Sequence, residues 1–205
     1  MMQSRRRLLG VSFVAALFVL AAARIAGIGI GYNTTASMPI GWYLLLPSQN
    51  LATGDAVIAC IPEPAARIAR ARAYIGPGSC PGGAGEVVKL LGAVSGARVS
   101  VTRQGVCIDG RLLAASRPAA RDPHRRPLPR WNGGLTTHLG PREYWLTGAD
   151  RLSWDSRYWG PVRGEAIRAR ALRVGAPLPS LQWRQRCSLG RHNGSSAGTA
   201  SGNIK

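Results

Sequence analysis

Three short segments hold residues whose types could carry out acyl transfer: residues 33–41 (NTTASMPIG), 86–91 (EVVKLL) and 153–162 (SWDSRYWGPV). In the first, Ser37 sits in a turn fixed by Pro39 and Gly41. A serine hydroxyl is a weak nucleophile until a base takes its proton. In the second, Lys89 is one of two lysines among 27 basic residues, the other being Lys205. Arginine stays charged, whereas a desolvated lysine can lose its proton. Set among Val88, Leu90 and Leu91, Lys89 is a candidate general base. Taken alone, it also fits an outward-facing lysine on a half-buried strand. In the third segment, Ser153 can hold an amine by a hydrogen bond. Asp155 and Arg157 can form a bidentate pair that braces the loop, or can be ordinary surface charge.

Rival chemistries find little support. His124 lies in a Pro/Arg-rich loop, His138 in a short polar loop and His192 in the C-terminal tail, and none is placed for a Ser-His-Asp triad. Cys60, Cys80, Cys107 and Cys187 form no Cys-x-x-Cys pair and the acids form no close pair, so neither a metal nor a cofactor is expected. Four cysteines allow three pairings in an exported domain. Cys60–Cys80 is favoured, because both lie in one Gly/Pro-rich excursion that a disulfide would close; buried free thiols are the alternative.

The elements that must position these residues are mostly short strands. Residues 41–46, 55–61, 86–91, 98–102, 143–147 and 162 onward are apolar runs bounded by Gly or Pro. Asp109-Gly110 between residues 106–108 and 111–113 is a hairpin signal. Residues 65–73, rich in Ala and Arg, are the one convincing helix of the body. Together these predict a mainly β fold of short antiparallel strands. Residues 116–134 read as a long surface loop, and residues 188–205 as a disordered tail.

The N-terminus sets the compartment. Arg5, Arg6 and Arg7 precede an apolar run over residues 8–23, which continues past Arg24 through a glycine-rich stretch to residue 32. The 16 residues of the run are short for a spanning helix, which needs ~20. Adding residues 25–30 makes spanning easy if Arg24 snorkels to the interface. The three arginines should stay cytoplasmic, leaving the body outside. The expected organisation is a membrane anchor over 1–32, a periplasmic domain over 33–187 and a tail over 188–205. A signal peptide cleaved after Ala21-Ala22-Ala23 is the competitor. The net charge of +18 suits anionic lipid, but the arginines are scattered and no nucleic-acid motif accompanies them, so no nucleic-acid partner is expected.

Read together, the segments resemble the type I signal peptidase family, and look closest to the TraF-type peptidases of conjugative plasmids. Ser37-Met-Pro-x-Gly41 is similar to the family's nucleophile box, Val87-Val-Lys89 to its lysine box, and Ser153-x-Asp-Ser-Arg-Tyr-Trp-Gly160 to its last box. The likeness runs from about residue 5 to residue 175. Two places depart from it: Ser95-Gly96-Ala97 stands where the family has Pro-Gly-Asp, and Gly148-Ala149-Asp150 where it has Gly-Asp-Asn. The resemblance implies a signal-peptidase-like β-barrel or sandwich, anchored in the inner membrane. It implies Ser37 as nucleophile, Lys89 as base, and the Ser37 N–H and Thr35 hydroxyl as oxyanion hole. Ser153 would orient Lys89, and Asp155 and Arg157 would be structural. The implied substrate is a pilin precursor, matured by hydrolysis or cyclised through an acyl-enzyme, with other conjugative transfer proteins as further partners. A general leader peptidase and a non-catalytic anchored scaffold are the competing readings.

Overall fold

The computed structural model describes residues 2–131 and 136–187. Among them the helices are α1 Met2–Ile25, α2 Glu63–Ala71 and α3 Ser156–Trp159. The strands are β1 Gly29–Asn33, β2 Gly41–Leu46, β3 Ala56–Ala59, β4 Pro77–Cys80, β5 Val87–Ala93, β6 Arg98–Val101 and β7 Val106–Ile108. They continue as β8 Arg111–Leu113, β9 Thr137–His138, β10 Glu143–Thr147, β11 Val162–Arg163, β12 Ile167–Arg173 and β13 Trp183–Arg186. The fold is mainly antiparallel β, as the residue pattern predicts. The expected tail over 188–205 and part of the expected 116–134 loop lie outside the described residues.

A seven-stranded sheet runs in the order β1-β2-β12-β3-β5-β10-β11, and a five-stranded sheet in the order β13-β8-β7-β6-β9. The β7–β8 hairpin turns at Asp109 and Gly110, with φ of 47° and 78°. Positive φ at both central residues is the hairpin turn that Asp-Gly accommodates. Strand β5 is the structural centre. It pairs with β3 on one side and β10 on the other, and all seven of its residues are buried. Val88 and Leu90 join a core with Met38, Tyr43, Ile58 and Ala171, while Leu91 joins Val57, Leu146 and Ile167 in another. A strand buried on both faces has no outward side, so Lys89 is 2% exposed. The outward-facing alternative for this lysine does not occur.

Three local expectations shift. The helix expected over 65–73 is α2, which begins at Glu63 and ends at Ala71. Pro62 precedes it and Pro64 lies in its first turn, where a proline leaves no intrahelical bond unmade. Glu63 extends it further by pairing with Arg67 at 2.6 Å. The apolar stretch after Arg24 does not prolong the N-terminal helix: α1 ends at Ile25 and residues 29–33 become β1, paired with β2 from Gly29↔Leu45 to Asn33↔Gly41. Gly27, at φ 70°, closes the helix in the left-handed region. Among the described residues no helix is long and apolar enough to cross a membrane.

Cys60 and Cys80 are bonded, with Cα atoms 5.4 Å apart, and close the excursion that carries α2 and β4. The second disulfide, Cys107–Cys187 at a Cα separation of 6.2 Å, ties β7 to the chain after β13. In a chain-entropy account the closures, over 20 and 80 residues, are worth about 3 and about 4.5 kcal/mol.

Candidate active site

Ser37 lies on the loop 34–40 that joins β1 to β2. Asn33, the buried last residue of β1, staples that loop. Its amide Nδ2 donates to the carbonyls of Thr35, Met38 and Pro39 at 2.9, 2.9 and 3.1 Å. Its Oδ1 accepts from the Thr35 N–H at 3.2 Å and from the Thr35 hydroxyl at 3.0 Å. The Tyr43 hydroxyl adds a bond to the Pro39 carbonyl at 2.7 Å, and the Met38 side chain is sunk in the core at 1% exposure. The loop is therefore held rigidly with its nucleophile candidate at the tip. No role for Asn33 follows from the motifs. The available signal is an Asx turn, an Asn whose side chain bonds the backbone two residues on, directly after an apolar run.

Lys89 projects from β5, where its register partner on β3 is the fully buried Val57. Its Nζ donates to Ser153 Oγ at 2.7 Å, and Ser153 is itself 2% exposed. Burial pushes the Lys89 ammonium down to about 8, opposed by the Asp155 carboxylate and reinforced by the Arg157 guanidinium. An amine of this kind is substantially neutral at mildly alkaline pH.

The loop 148–155 touches both Lys89 and the Ser37 loop. The Ala149 N–H donates to the Ser37 carbonyl at 2.7 Å, so this loop lies against the Ser37 loop while Ser153 holds the lysine. Gly148 makes the approach possible. A Cβ there would overlap Ser153 Oγ and come within 3.0 Å of the Ser37 carbonyl oxygen. Ser37 and Ser153 line the same cavity of about 460 Å³, with Thr35, Tyr74, Leu128 and Trp154. Thr35 faces it with its hydroxyl turned to Asn33, so service as an oxyanion donor requires rotation of that hydroxyl.

Asp155 and Arg157 form a bidentate pair, Nε to Oδ1 at 2.7 Å and Nη2 to Oδ2 at 2.8 Å, at 0% and 1% side-chain exposure. They are not surface charge. Asp155 Oδ2 also accepts from the Gly148 N–H at 3.0 Å, and its main-chain neighbour Ser156 accepts the Leu146 N–H at 2.9 Å. Arg157 donates to the carbonyls of Arg151 and Ser153 at 3.0 and 2.9 Å, and to those of Arg117 and Asp150 at 3.4 Å. The pair thus clamps the whole loop from within. Burial opposes the Arg157 charge, but the adjacent Asp155 outweighs it and raises the guanidinium further above its ordinary value.

Across the cavity stands a polar wall absent from the sequence reading. The Tyr74 hydroxyl and Arg126 Nε both donate to Asp122 Oδ2, the latter at 2.6 Å. Burial favours the neutral acid, yet these bonds and the Arg126 charge hold Asp122 well below the usual carboxylate range. His124 lines the same cavity, without a hydrogen bond to Ser37. Thr35 also borders a second cavity of about 410 Å³, together with Tyr32, Asn33, Ile75, Val87 and Val88. Here β5 offers an open edge, since it meets β10 only from Leu90 onward, and β1 pairs with β2 alone. Among the described residues no group of three His, Cys, Asp or Glu side chains could hold a metal.

Residues 5–174 match the model of a protein family described as signal peptidase, peptidase S26. Curated relatives agree in extent. The chain is 37% identical over 174 residues to a probable conjugal transfer protein TraF of Sinorhizobium fredii, covering 80% of this chain and 89% of that one. It is 37% identical over 171 residues to a plasmid transfer protein TraF of Escherichia coli, covering 82% and 91%. It is 38% identical over 165 residues to a conjugal transfer protein TraF of Agrobacterium tumefaciens, covering 78% and 90%.

Proposed function

The chain belongs to the signal peptidase, peptidase S26, family, and from that premise we propose that it is a serine endopeptidase that matures a pilin precursor for conjugative transfer. The observation that carries the chemistry is a buried lysine amine bonded to Ser153 in the wall of the cavity that Ser37 lines. In this reading Lys89 Nζ takes the proton of Ser37 Oγ as that oxygen attacks the scissile carbonyl. The Ser37 N–H and the Thr35 hydroxyl stabilise the oxyanion, each donor being worth about 3 kcal/mol in comparable enzymes. Lys89 then returns the proton to the leaving amine. The acyl-enzyme is resolved by water or by the substrate's own amine, which would give a cyclic product. The free edge of β1 and the stretch of β5 before Leu90 that β10 leaves unpaired suit an extended substrate strand. The two disulfides favour an oxidising compartment, so the body is assigned to the periplasm, with α1 holding it at the inner membrane.

The pH dependence follows from the base. The amine acts only when neutral, so kcat/KM should fall about tenfold per pH unit below about 8 and level off above it. A peptide-cleavage profile from pH 6 to 10 checks this. An inflection a full unit lower overturns the Lys89 assignment, and loss of activity in His124→Ala would transfer the role to that imidazole.

Mass spectrometry of a co-expressed pilin precursor, with wild type and with Ser37→Ala, tests the function. Maturation by the wild type alone supports it. A precursor processed equally by both would sink the enzymatic reading and favour an anchored scaffold. Loss of general secretion on gene deletion would instead favour a leader peptidase of broad range.

A further inference from the structure

A second concavity of about 310 Å³ adjoins the cavity of Ser37, sharing Leu152 with it. Arg103, Arg117, Arg130 and Arg151 line it, all exposed, and no acidic residue does. Among the described residues none of the four guanidinium groups makes an ion pair, whereas Arg67, Arg126, Arg142, Arg157 and Arg170 each have a carboxylate. The site is also built. Buried Arg157 holds the main-chain carbonyls of Arg117 and Arg151, fixing two of the four arginines on one internal bolt. Asp150, an acid of the adjoining cavity, turns its Oδ1 to the Leu152 N–H at 2.6 Å.

The direction of a substrate through the site follows from the proton path. In the proposed peptidase reading Lys89 must reach the departing amine, and Ser153, its hydrogen-bond partner, lines the Ser37 cavity beside Leu152, its neighbour in the chain. The acyl side then lies along the open edges of β1 and β5. The segment released by cleavage runs through the Ser37 cavity toward the four arginines. We infer that this arginine concavity binds acidic side chains of the substrate beyond the scissile bond, and so selects substrates with an acidic leaving segment. Guanidinium forks match carboxylates in geometry as well as charge. The inference rests on the proposed peptidase reading for its direction, not for the existence of the anion site.

The test uses the full chain and two peptides with one acyl half, whose leaving halves differ only as Glu and Gln. At low salt the Glu peptide should be cleaved with a kcat/KM about tenfold higher, a ratio that several exposed charge pairs can supply and that 0.5 M salt should erase. In an Arg103→Gln/Arg117→Gln/Arg130→Gln variant the ratio should collapse toward one. Arg67→Gln, which removes the exposed α2 arginine paired with Glu63 and absent from the concavity, should leave the ratio as in wild type. A ratio near one in the wild type, or one that survives the triple change, overturns the inference. Binding keeps it separable from the catalytic reading. A fluorescent Glu leaving-segment peptide titrated onto the Ser37→Ala protein should bind about tenfold tighter than its Gln twin, whether or not either peptide is cleaved. Equal binding overturns the inference, as does loss of affinity for phosphatidylglycerol vesicles in the triple variant with the peptide preference intact, which would assign the arginines to lipid.

Discussion

Replacing Lys89 by methionine is expected to abolish cleavage and, at pH 7, to make the protein more stable. The activity change should reach at least about a thousandfold, because in the proposed reading Lys89 is the base that takes the Ser37 proton. The stability change has the opposite sign for a stated reason. Lys89 is fully buried, and its folded-state value of about 8 lies below the ordinary 10.5. Below pH 8 the folded protein must hold an ammonium in an apolar strand, at a cost of about 3 kcal/mol. Methionine fills a similar volume without charge and forfeits the Ser153 hydrogen bond, worth about 1 kcal/mol. The net gain is about 2 kcal/mol at pH 7. Between about pH 8 and 10.5 the unfolded chain binds more protons at this position than the folded one. Wild-type stability therefore rises with pH through that window, and the advantage of Lys89→Met fades. Urea denaturation of both proteins at pH 7 and pH 10 measures this. A variant less stable than wild type at pH 7 would show that the amine is not held at a desolvation cost.

Asp155→Ala should destabilise the domain by about 3–5 kcal/mol, the largest single loss expected outside the core. The change leaves the Arg157 guanidinium at 1% exposure with no carboxylate, and the Gly148 N–H with no acceptor. Removing Arg157 as well should not restore stability. Its side chain also satisfies the carbonyls of Arg151 and Ser153, which would then be left without a donor. Denaturant midpoints of the single variant and of Asp155→Leu/Arg157→Met decide this. Recovery of wild-type stability by the double change would mean that the pair is only a charge-neutral filler. The same loss should weaken cleavage, because the clamped loop carries Ser153.

Much of the molecule could be read from neighbouring residues, because the relevant physics is local. Pro39 and Gly41 mark the turn at Ser37, Asp109-Gly110 marks the β7–β8 hairpin, and alanines with arginines mark α2. The proximity of Cys60 and Cys80 within one Gly/Pro-rich excursion was enough to favour their pairing, which the disulfide matches. Turn geometry, helix propensity and short-loop closure act over a few residues, so the sequence carries them openly.

Burial and juxtaposition are different, since they depend on which distant strands flank a residue. Nothing around Lys89 states that the packing of the body buries both faces of its strand and leaves no outward face. Read in isolation, Asp155 and Arg157 suit a solvated surface better than a buried one, whereas the fold seals them inside. The Tyr74–Asp122 wall, the Cys107–Cys187 bond and the four arginines around Leu152 each join segments remote in the chain. Side-chain identity thus told which groups could react, and chain topology alone determined which are dry, which touch and which face water. The desolvation energy that lowers the lysine's hold on its proton is a property of that enclosure, not of the residue.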